Sequence, residues 1–214
     1  MNLVKIMILL RPGIHHVRER TLEQMLHQVI EHPSQSHATI KLLSAEEYKK
    51  IIYDWNSTEK EYPKDKTIHE LVEEQVKKTP DNIAIVYEGK QLTYKELNEK
   101  SNQLARHIRT QYKQRTSRSL GADALITLYL DRSLEMVIGI LAVLKAGGAY
   151  VPMDPSYPQE RIDYLIEDTN AELVLTQKHL TENSKTELPA EKIIYIDLTE
   201  ELYVKQSTLN LAQH

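Results

Sequence analysis

The sequence has no cysteine among its 214 residues. This excludes disulfides, CxxC redox chemistry, thiolate zinc sites and a cysteine nucleophile. Phenylalanine is also absent, so 12 tyrosines and one tryptophan must supply the aromatic packing. Glycine is scarce, and no GxxxxGK(S/T) phosphate loop or GxGxxG dinucleotide loop can be drawn from its six positions. Those positions are Gly13, Gly89, Gly121, Gly139, Gly147 and Gly148.

A surplus of positive charge is lacking too. The chain has 27 Lys and Arg against 31 Asp and Glu, a net charge of −4. Nucleic-acid binders usually carry a basic surplus, so we expect no nucleic-acid partner. The nine histidines show no HExxH or other close metal spacing, which predicts no metal site.

Long hydrophobic runs are missing as well. The apolar stretch at Leu3–Leu10 is far shorter than the roughly 20 residues that span a bilayer. Arg11–Pro12–Gly13 follows it in place of a small-residue cleavage site. The stretch predicts a short buried strand, no membrane partner and a cytoplasmic location.

Capping boxes predict where the helices begin, because a Ser or Thr side chain covers one free N–H while a Glu or Gln three residues later covers another. They occur at Thr21/Gln24, Ser44/Glu47, Thr67/Glu70 and Thr93/Glu96. Apolar residues follow each box at helical spacing. The first helix is predicted to bury Leu22, Met25, Leu26, Val29 and Ile30.

From residue 125 onward, strand and helix patterns alternate. Leu125–Leu130, Glu172–Thr176 and Ile193–Ile196 have strand patterns, and a further strand begins at Tyr150–Val151. A helix capped by Ser133 ends at Gly147–Gly148, and Pro158 suits the first turn of another. Such alternation indicates parallel strands joined by helices. The predicted fold class is α/β, a partial layered parallel-sheet domain with a helical N-terminal lead-in.

Two motifs resemble core motifs of one family. Leu144–Asp154 reads LKAGGAYVPMD, which is similar to the second core motif of nonribosomal peptide synthetase adenylation domains. Leu92–Leu97 reads LTYKEL, which resembles their first core motif, and Pro155–Thr176 continues in register. Leu42–Gln75 resembles the linker that joins a condensation domain to an adenylation domain.

The resemblance implies a domain plan. Residues 1–41 are the end of a condensation-domain-like region, 42–66 are the linker, and 67–214 are the N-terminal part of an adenylation (AMP-binding) domain. The family's glycine-rich loop resembles YTSGTTGxPKG, and none of the six glycines lies in such a loop. We therefore expect a domain truncated before its phosphate loop.

The resemblance also implies a chemistry. The intact family uses ATP and Mg to convert an amino acid to aminoacyl-AMP for nonribosomal peptide biosynthesis. This chain is predicted to be a fragment that does not catalyse the reaction alone, with no catalytic, cofactor-binding or metal residue to assign. The alternative is a non-catalytic interaction module, or one half of a split synthetase. The partner in that case is the remaining portion of a synthetase.

Other patterns are interpreted as structural. His15–His16 lacks the Asp-Gly of a condensation-domain HHxxxDG motif, and Ala124 stands where a carrier protein would need a serine. Surface or capping duty is expected for Asp154, Asp163 and Asp168. The core motifs are predicted to pack, with Tyr94 and Leu97 anchoring a helix, and Tyr150, Val151 and Pro152 leading through a buried strand.

Overall fold

The computed structural model describes residues 15–182, 186–199 and 203–212, with side chains from Thr21 onward. The chain divides into two compact units, Met1–Pro63 and Lys64–His214. The strand predicted at Leu3–Leu10 lies outside the described residues.

The first unit is helical. Helix α1 spans His15–Glu31 and α2 spans Ala45–Lys49, which continues as a π-helical turn over Lys50–Asp54. The capping box that begins α2 is confirmed: the Glu47 backbone N–H donates to the Ser44 hydroxyl at 3.1 Å, and Glu47 Oε2 accepts from the Ser44 backbone N–H at 3.0 Å. Gln28 ties α1 to the following chain, with both ends of its amide bonded to the backbone of Lys41.

Two predictions for α1 are wrong. The described helix spans His15–Glu31, so Thr21 lies inside it and is not its N-cap. The apolar stripe is largely exposed: Ile30 is 77% accessible, and Leu22, Leu26 and Val29 are between 44% and 47% accessible. The sequence correctly gives an amphipathic helix, but the described part of this unit has no second apolar layer that covers its stripe.

The second unit begins with α3, Ile68–Lys78, and the antiparallel hairpin of β1, Ile83–Tyr87, and β2, Lys90–Thr93. Glu88 and Gly89 make the turn with φ of 47° and 77°, which favours glycine at the second position. Helix α4 follows directly and spans Tyr94–Thr116. Its last residues, 111–116, are mostly polar, and it ends where Ser117 adopts a left-handed conformation with φ 59°.

The remaining elements form the α/β layer that the alternation predicts. In chain order they are β3 Leu125–Tyr129, α5 Leu134–Ala146, β4 Ala149–Met153, α6 Gln159–Thr169, β5 Leu173–Thr176, α7 Lys178–Glu182 and β6 Ile193–Tyr195. The strands form a four-stranded sheet in the order β4-β3-β5-β6. Every pairing in it is parallel, as predicted.

Hydrophobic residues cover both faces of this sheet. Because side chains alternate along a strand, Ile126 and Leu128 of β3 face one way and Tyr129 faces the other. The first face packs in a cluster that includes Leu104 and Ile108 of α4. The second packs in a smaller cluster that includes Ile162 of α6. Burial on both faces explains why β3 and β5 are almost continuously apolar.

One strand is less buried than predicted. β4 lies at the edge of the sheet, Tyr150 is 39% exposed and Pro152 is also exposed. Proline suits an edge strand because it has no N–H to donate to a neighbour.

Candidate functional site

The segment Leu144–Asp154 joins the end of α5 to β4. Helix α5 ends at Gly147, whose φ of 92° is left-handed, and its N–H donates to the Leu144 carbonyl at 3.1 Å. The next residue, Gly148, lies against the chain that leads into β3. A Cβ atom placed on Gly148 would meet the Ala124 carbonyl oxygen at 2.9 Å. The two glycines therefore serve a helix C-cap and a close backbone approach, which are packing roles.

The segment Leu92–Leu97 is the junction of β2 and α4. Thr93 is the N-cap of α4, and its hydroxyl accepts from the Glu96 backbone N–H at 3.2 Å. The Glu96 carboxylate in return accepts from the Thr93 backbone N–H at 2.8 Å and from the Thr93 hydroxyl at 3.0 Å, and these two hydrogen bonds lower the pKa of the Glu96 carboxyl. Leu97 is buried in the larger core cluster, as expected of an anchoring residue.

A buried ammonium group lies beside these motifs. Lys145, in the last turn of α5, has a side chain only 1% exposed. Its Nζ donates to Glu73 Oε1 at 2.5 Å, and to Asn98 Oδ1 and Asn102 Oδ1 at 2.8 Å each. Burial lowers the pKa of this lysine, while the hydrogen bond and charge of Glu73 act in the opposite direction. An ammonium has three protons to donate, so all three are used.

A cavity of about 790 Å³ adjoins this lysine. Its lining includes His69, Glu73, Arg109 and Leu211. Arg109 is committed to the end of α5, because its Nε donates to the Ala146 carbonyl at 2.9 Å and its Nη2 to the Lys145 carbonyl at 3.2 Å. Burial lowers the pKa of both Arg109 and His69. The cations of this cavity thus stabilise helix ends and a buried network.

A second crevice, of about 570 Å³, lies at the carboxyl ends of β3 and β4. This edge of a parallel sheet is where α/β proteins commonly bind ligands. Asp131 is one of its lining residues, and its carboxylate lies 3.1 Å from His179 Nε2. Both side chains of that pair are about half exposed. Sequence reasoning missed the pair because 48 residues separate its members.

Two of the three aspartates that were expected to have surface or capping roles accept local hydrogen bonds. Asp154 accepts from the Ser156 backbone N–H at 2.8 Å, which lowers the pKa of its carboxyl. Asp163 accepts from Gln159 Nε2 at 2.7 Å. The side chains of His15 and His16 lie outside the described part of the molecule.

ATP and Mg, which the family resemblance implies, do not fit the described residues. A triphosphate needs backbone N–H groups in a glycine-rich loop together with free cations and a metal ion. The described ranges contain no group of three His, Asp or Glu side chains that could hold a metal ion. The ammonium of Lys145 is fully engaged.

None of the helices in the described ranges is long and apolar enough to cross a membrane.

Comparison with known proteins bears directly on the two core motifs. A family model described as AMP-binding enzyme matches residues 72–211, which include both motifs. Gramicidin S synthase 2 from Brevibacillus brevis is 46% identical over 199 residues, covering 89% of this chain and 4% of the relative. Gramicidin S synthase 1 from the same organism is 46% identical over 173 residues, covering 78% of this chain and 15% of the relative.

Bacitracin synthase 3 from Bacillus licheniformis is 48% identical over 154 residues, covering 72% of this chain and 2% of the relative. The chain thus spans between 2% and 15% of the length of these relatives. It corresponds to one small piece of such proteins.

Solved structures agree on the fold. The nonribosomal peptide synthetase FmoA3, in its AMPPNP-bound form, superposes with a TM-score of 0.63 at 23% identity, over 94% of this chain and 21% of that one. The N-terminal subdomain of NpsA from Klebsiella oxytoca gives 0.54 at 19% identity, over 70% of this chain and 35% of that one.

The resemblance carried by the two core motifs is therefore confirmed. The chain belongs to the AMP-binding enzyme family, as a fragment of a nonribosomal peptide synthetase adenylation domain.

Proposed function

We propose that this chain supplies part of the framework of an adenylation domain that activates an amino acid for nonribosomal peptide synthesis. The observation that carries the proposal is the family match over 72–211, a segment that contains both core motifs. In that segment Gly147, Gly148, Thr93 and Lys145 are all engaged in packing or internal hydrogen bonds. The comparisons do not favour the alternative of a non-catalytic interaction module.

The domain plan is part of the proposal. Residues 1–41 end a condensation-domain-like region, 42–66 are a linker, and 67–214 begin the adenylation domain. Support comes from Gramicidin S synthase 2, whose similarity covers 89% of this chain and so includes residues before the AMP-binding match. The division into compact units at Pro63 and Lys64 falls within the proposed linker.

ATP and Mg belong to the proposal as cofactors of the intact domain, with no ligand assigned to them in this chain. The FmoA3 structure is an AMPPNP-bound form, which supports a nucleotide for that protein. The proposed partner is the remaining portion of a synthetase, and nucleic acid and membrane are not proposed as partners. The proposed location is the cytoplasm, which supplies ATP and amino acids.

Amino-acid-dependent ATP–pyrophosphate exchange tests the catalytic part of the proposal. The purified chain is incubated with ATP, Mg and labelled pyrophosphate, with each proteinogenic amino acid in turn. We expect no exchange above a heat-killed sample, because Lys145 and Arg109 are engaged within the protein. Exchange above that background with any amino acid would show that the chain is an enzyme by itself.

Co-expression tests the proposed partner. The chain, carrying an affinity tag, is produced together with the untagged part of Gramicidin S synthase 1 that follows the matched segment. We expect the two to co-purify through a salt wash. Separate elution under several buffer conditions would contradict the proposed partner. It would not bear on the catalytic part of the proposal, which the exchange assay tests separately.

A further inference from the structure

The last described segment, residues 203–212, crosses α4 as an extended strap. Apart from a turn at its start it has no helix or strand. Polar side chains of α4 donate to its backbone carbonyls. Gln103 Nε2 donates to the Val204 carbonyl at 2.7 Å and to the Gln206 carbonyl at 3.1 Å. Asn102 Nδ2 donates to the Thr208 carbonyl at 2.7 Å.

Arg106 continues this row along α4. Its Nη1 donates to the carbonyls of Ser207 at 3.1 Å and Leu209 at 2.7 Å, and its Nη2 to that of Asn210 at 3.3 Å. All these acceptors are main-chain oxygens, which every residue possesses. The row therefore holds an extended peptide but does not distinguish one register of the strap from another.

Asn210 adds a contact that does depend on its side chain. Its Oδ1 accepts from Asn98 Nδ2 and from Asn102 Nδ2, each at 2.9 Å. Asn98 and Asn102 lie one turn apart on α4, so their amides reach the same point. A strap shifted by one residue would present Leu209 or Leu211 there, and neither has an acceptor.

Lys145 decides which way those two amides point. An ammonium only donates, so Asn98 and Asn102 must turn their oxygens toward Nζ, 2.8 Å from each. Their NH₂ groups are then fixed on the opposite side, where the Asn210 oxygen lies. Glu73 of α3 takes the third proton of the ammonium, so the ammonium has no proton left for another acceptor.

We propose that Lys145, Asn98 and Asn102 form a register lock that recognises Asn210 and so sets the position of the strap on α4. Lys145 is a positioning residue in this lock, since it acts on Asn210 only through the two amides. The buried Tyr203 at the start of the strap lies in the core cluster and Leu211 near its end packs against that cluster, so both also hold the strap on the unit. This lock is a property of the chain itself and does not depend on the proposed function.

Trypsin cleavage after Lys205 measures how often the strap leaves α4, because a protease needs an extended, detached segment. Lys205 is exposed and lies in the strap. Lys60, in the irregular segment near the end of the first unit, serves as the internal reference site. Asn210→Leu keeps the side-chain shape and removes the acceptor. We expect it to accelerate cleavage at Lys205 relative to Lys60 by about tenfold, for the loss of two hydrogen bonds.

Two matched variants distinguish the lock from general damage. Gln206→Met makes the same kind of amide-to-apolar change in the strap, at a residue that uses its backbone carbonyl there, and we expect less than about a twofold effect. Asn210→Asp keeps an oxygen acceptor and should remain within about threefold of the original chain. Equal rates for Asn210→Leu and Gln206→Met, or equal acceleration by Asn210→Leu and Asn210→Asp, would overturn the proposal.

The role of Lys145 is tested by combination and by orientation. Lys145→Met should accelerate cleavage at Lys205, and adding it to Asn210→Leu should bring no further increase. If the two accelerations multiply in the double variant, Lys145 does not act through Asn210, and its role in the register lock is contradicted. If Lys145→Met fails to fold, nuclear Overhauser contacts in the original chain give the answer. The side-chain NH₂ protons of Asn98 and Asn102 should show contacts to Asn210. If these protons instead show contacts to the end of the Lys145 side chain, the role of Lys145 in the register lock is overturned.

Discussion

Replacing Gly148 by alanine tests the packing role of the second core motif most sharply. An alanine Cβ would lie 2.9 Å from the Ala124 carbonyl oxygen and 3.2 Å from Leu120 Cδ2. The carbonyl cannot turn aside cheaply, because it also accepts from the Ala149 backbone N–H at 2.9 Å. The residue itself is held in place by its N–H, which donates to the Val143 carbonyl at 3.1 Å.

The magnitude follows from these contacts. Overpacking by one methyl group costs about 1–3 kcal/mol where the neighbours are fixed, and the usual gain of replacing glycine by alanine offsets roughly 0.5–1 kcal/mol of it. We expect Gly148→Ala to lower the free energy of unfolding by about 1 kcal/mol. For a unit of this size that lowers the melting temperature by roughly 2–4 °C.

Calorimetry with a matched glycine supplies the assay and its control. Gly139 lies inside α5, where an added Cβ would meet only side-chain methyl groups at 3.4 Å or more. Gly139→Ala should therefore be neutral or stabilising by up to about 1 kcal/mol. If Gly148→Ala melts at or above the temperature of Gly139→Ala, the close approach to Ala124 does not constrain the fold and the reasoning fails.

Two further predictions concern the same unit. Burial raises the pKa of Tyr203 to about 12, with Glu135 and Asp197 adding to the effect. Unfolded tyrosine ionises near 10, so stability is lost as the pH rises above 10. At pH 11 the Tyr203→Phe variant should lose about 1.4 kcal/mol less of its free energy of unfolding than the original chain. If the free energy from urea unfolding falls equally in both proteins between pH 9 and 11, the prediction is wrong. Thr93→Ala removes the N-cap of α4 and should cost about 1 kcal/mol, whereas Thr110→Ala inside α4 should stay within about 0.5 kcal/mol. Equal urea midpoints for these two variants would rule out the capping role.

Much of the second unit could be predicted from the sequence because its signals are local. The capping box at Thr93 and Glu96, the left-handed stop at Gly147 and the apolar runs of β3 and β5 each act within a few residues. The same reasoning failed in α1. A Ser/Thr-x-x-Glu/Gln pattern also occurs by chance inside helices, as at Thr21, and an amphipathic stripe does not tell what will cover it.

The buried network could not be predicted, for two physical reasons. Lysine is almost never fully buried, so Lys145 at the end of an apolar helix reads as a surface residue. Its partners lie 43 to 72 residues away in sequence. The strap accepts hydrogen bonds mainly through backbone carbonyls, which leave no pattern in the sequence. One usable signal was present, namely the pair of Asn98 and Asn102 one turn apart on an otherwise amphipathic helix.

Grafting tests the central proposal, that this chain supplies part of the framework of an adenylation domain. The segment of Gramicidin S synthase 1 that matches over 173 residues is replaced by the corresponding part of this chain, and ATP–pyrophosphate exchange is measured with each proteinogenic amino acid in turn. A second graft carrying Gly148→Ala serves as the matched control. The account predicts that the first graft retains exchange and that the second loses it at elevated temperature. A first graft that folds, as judged by its melting transition, but shows no exchange would contradict the account.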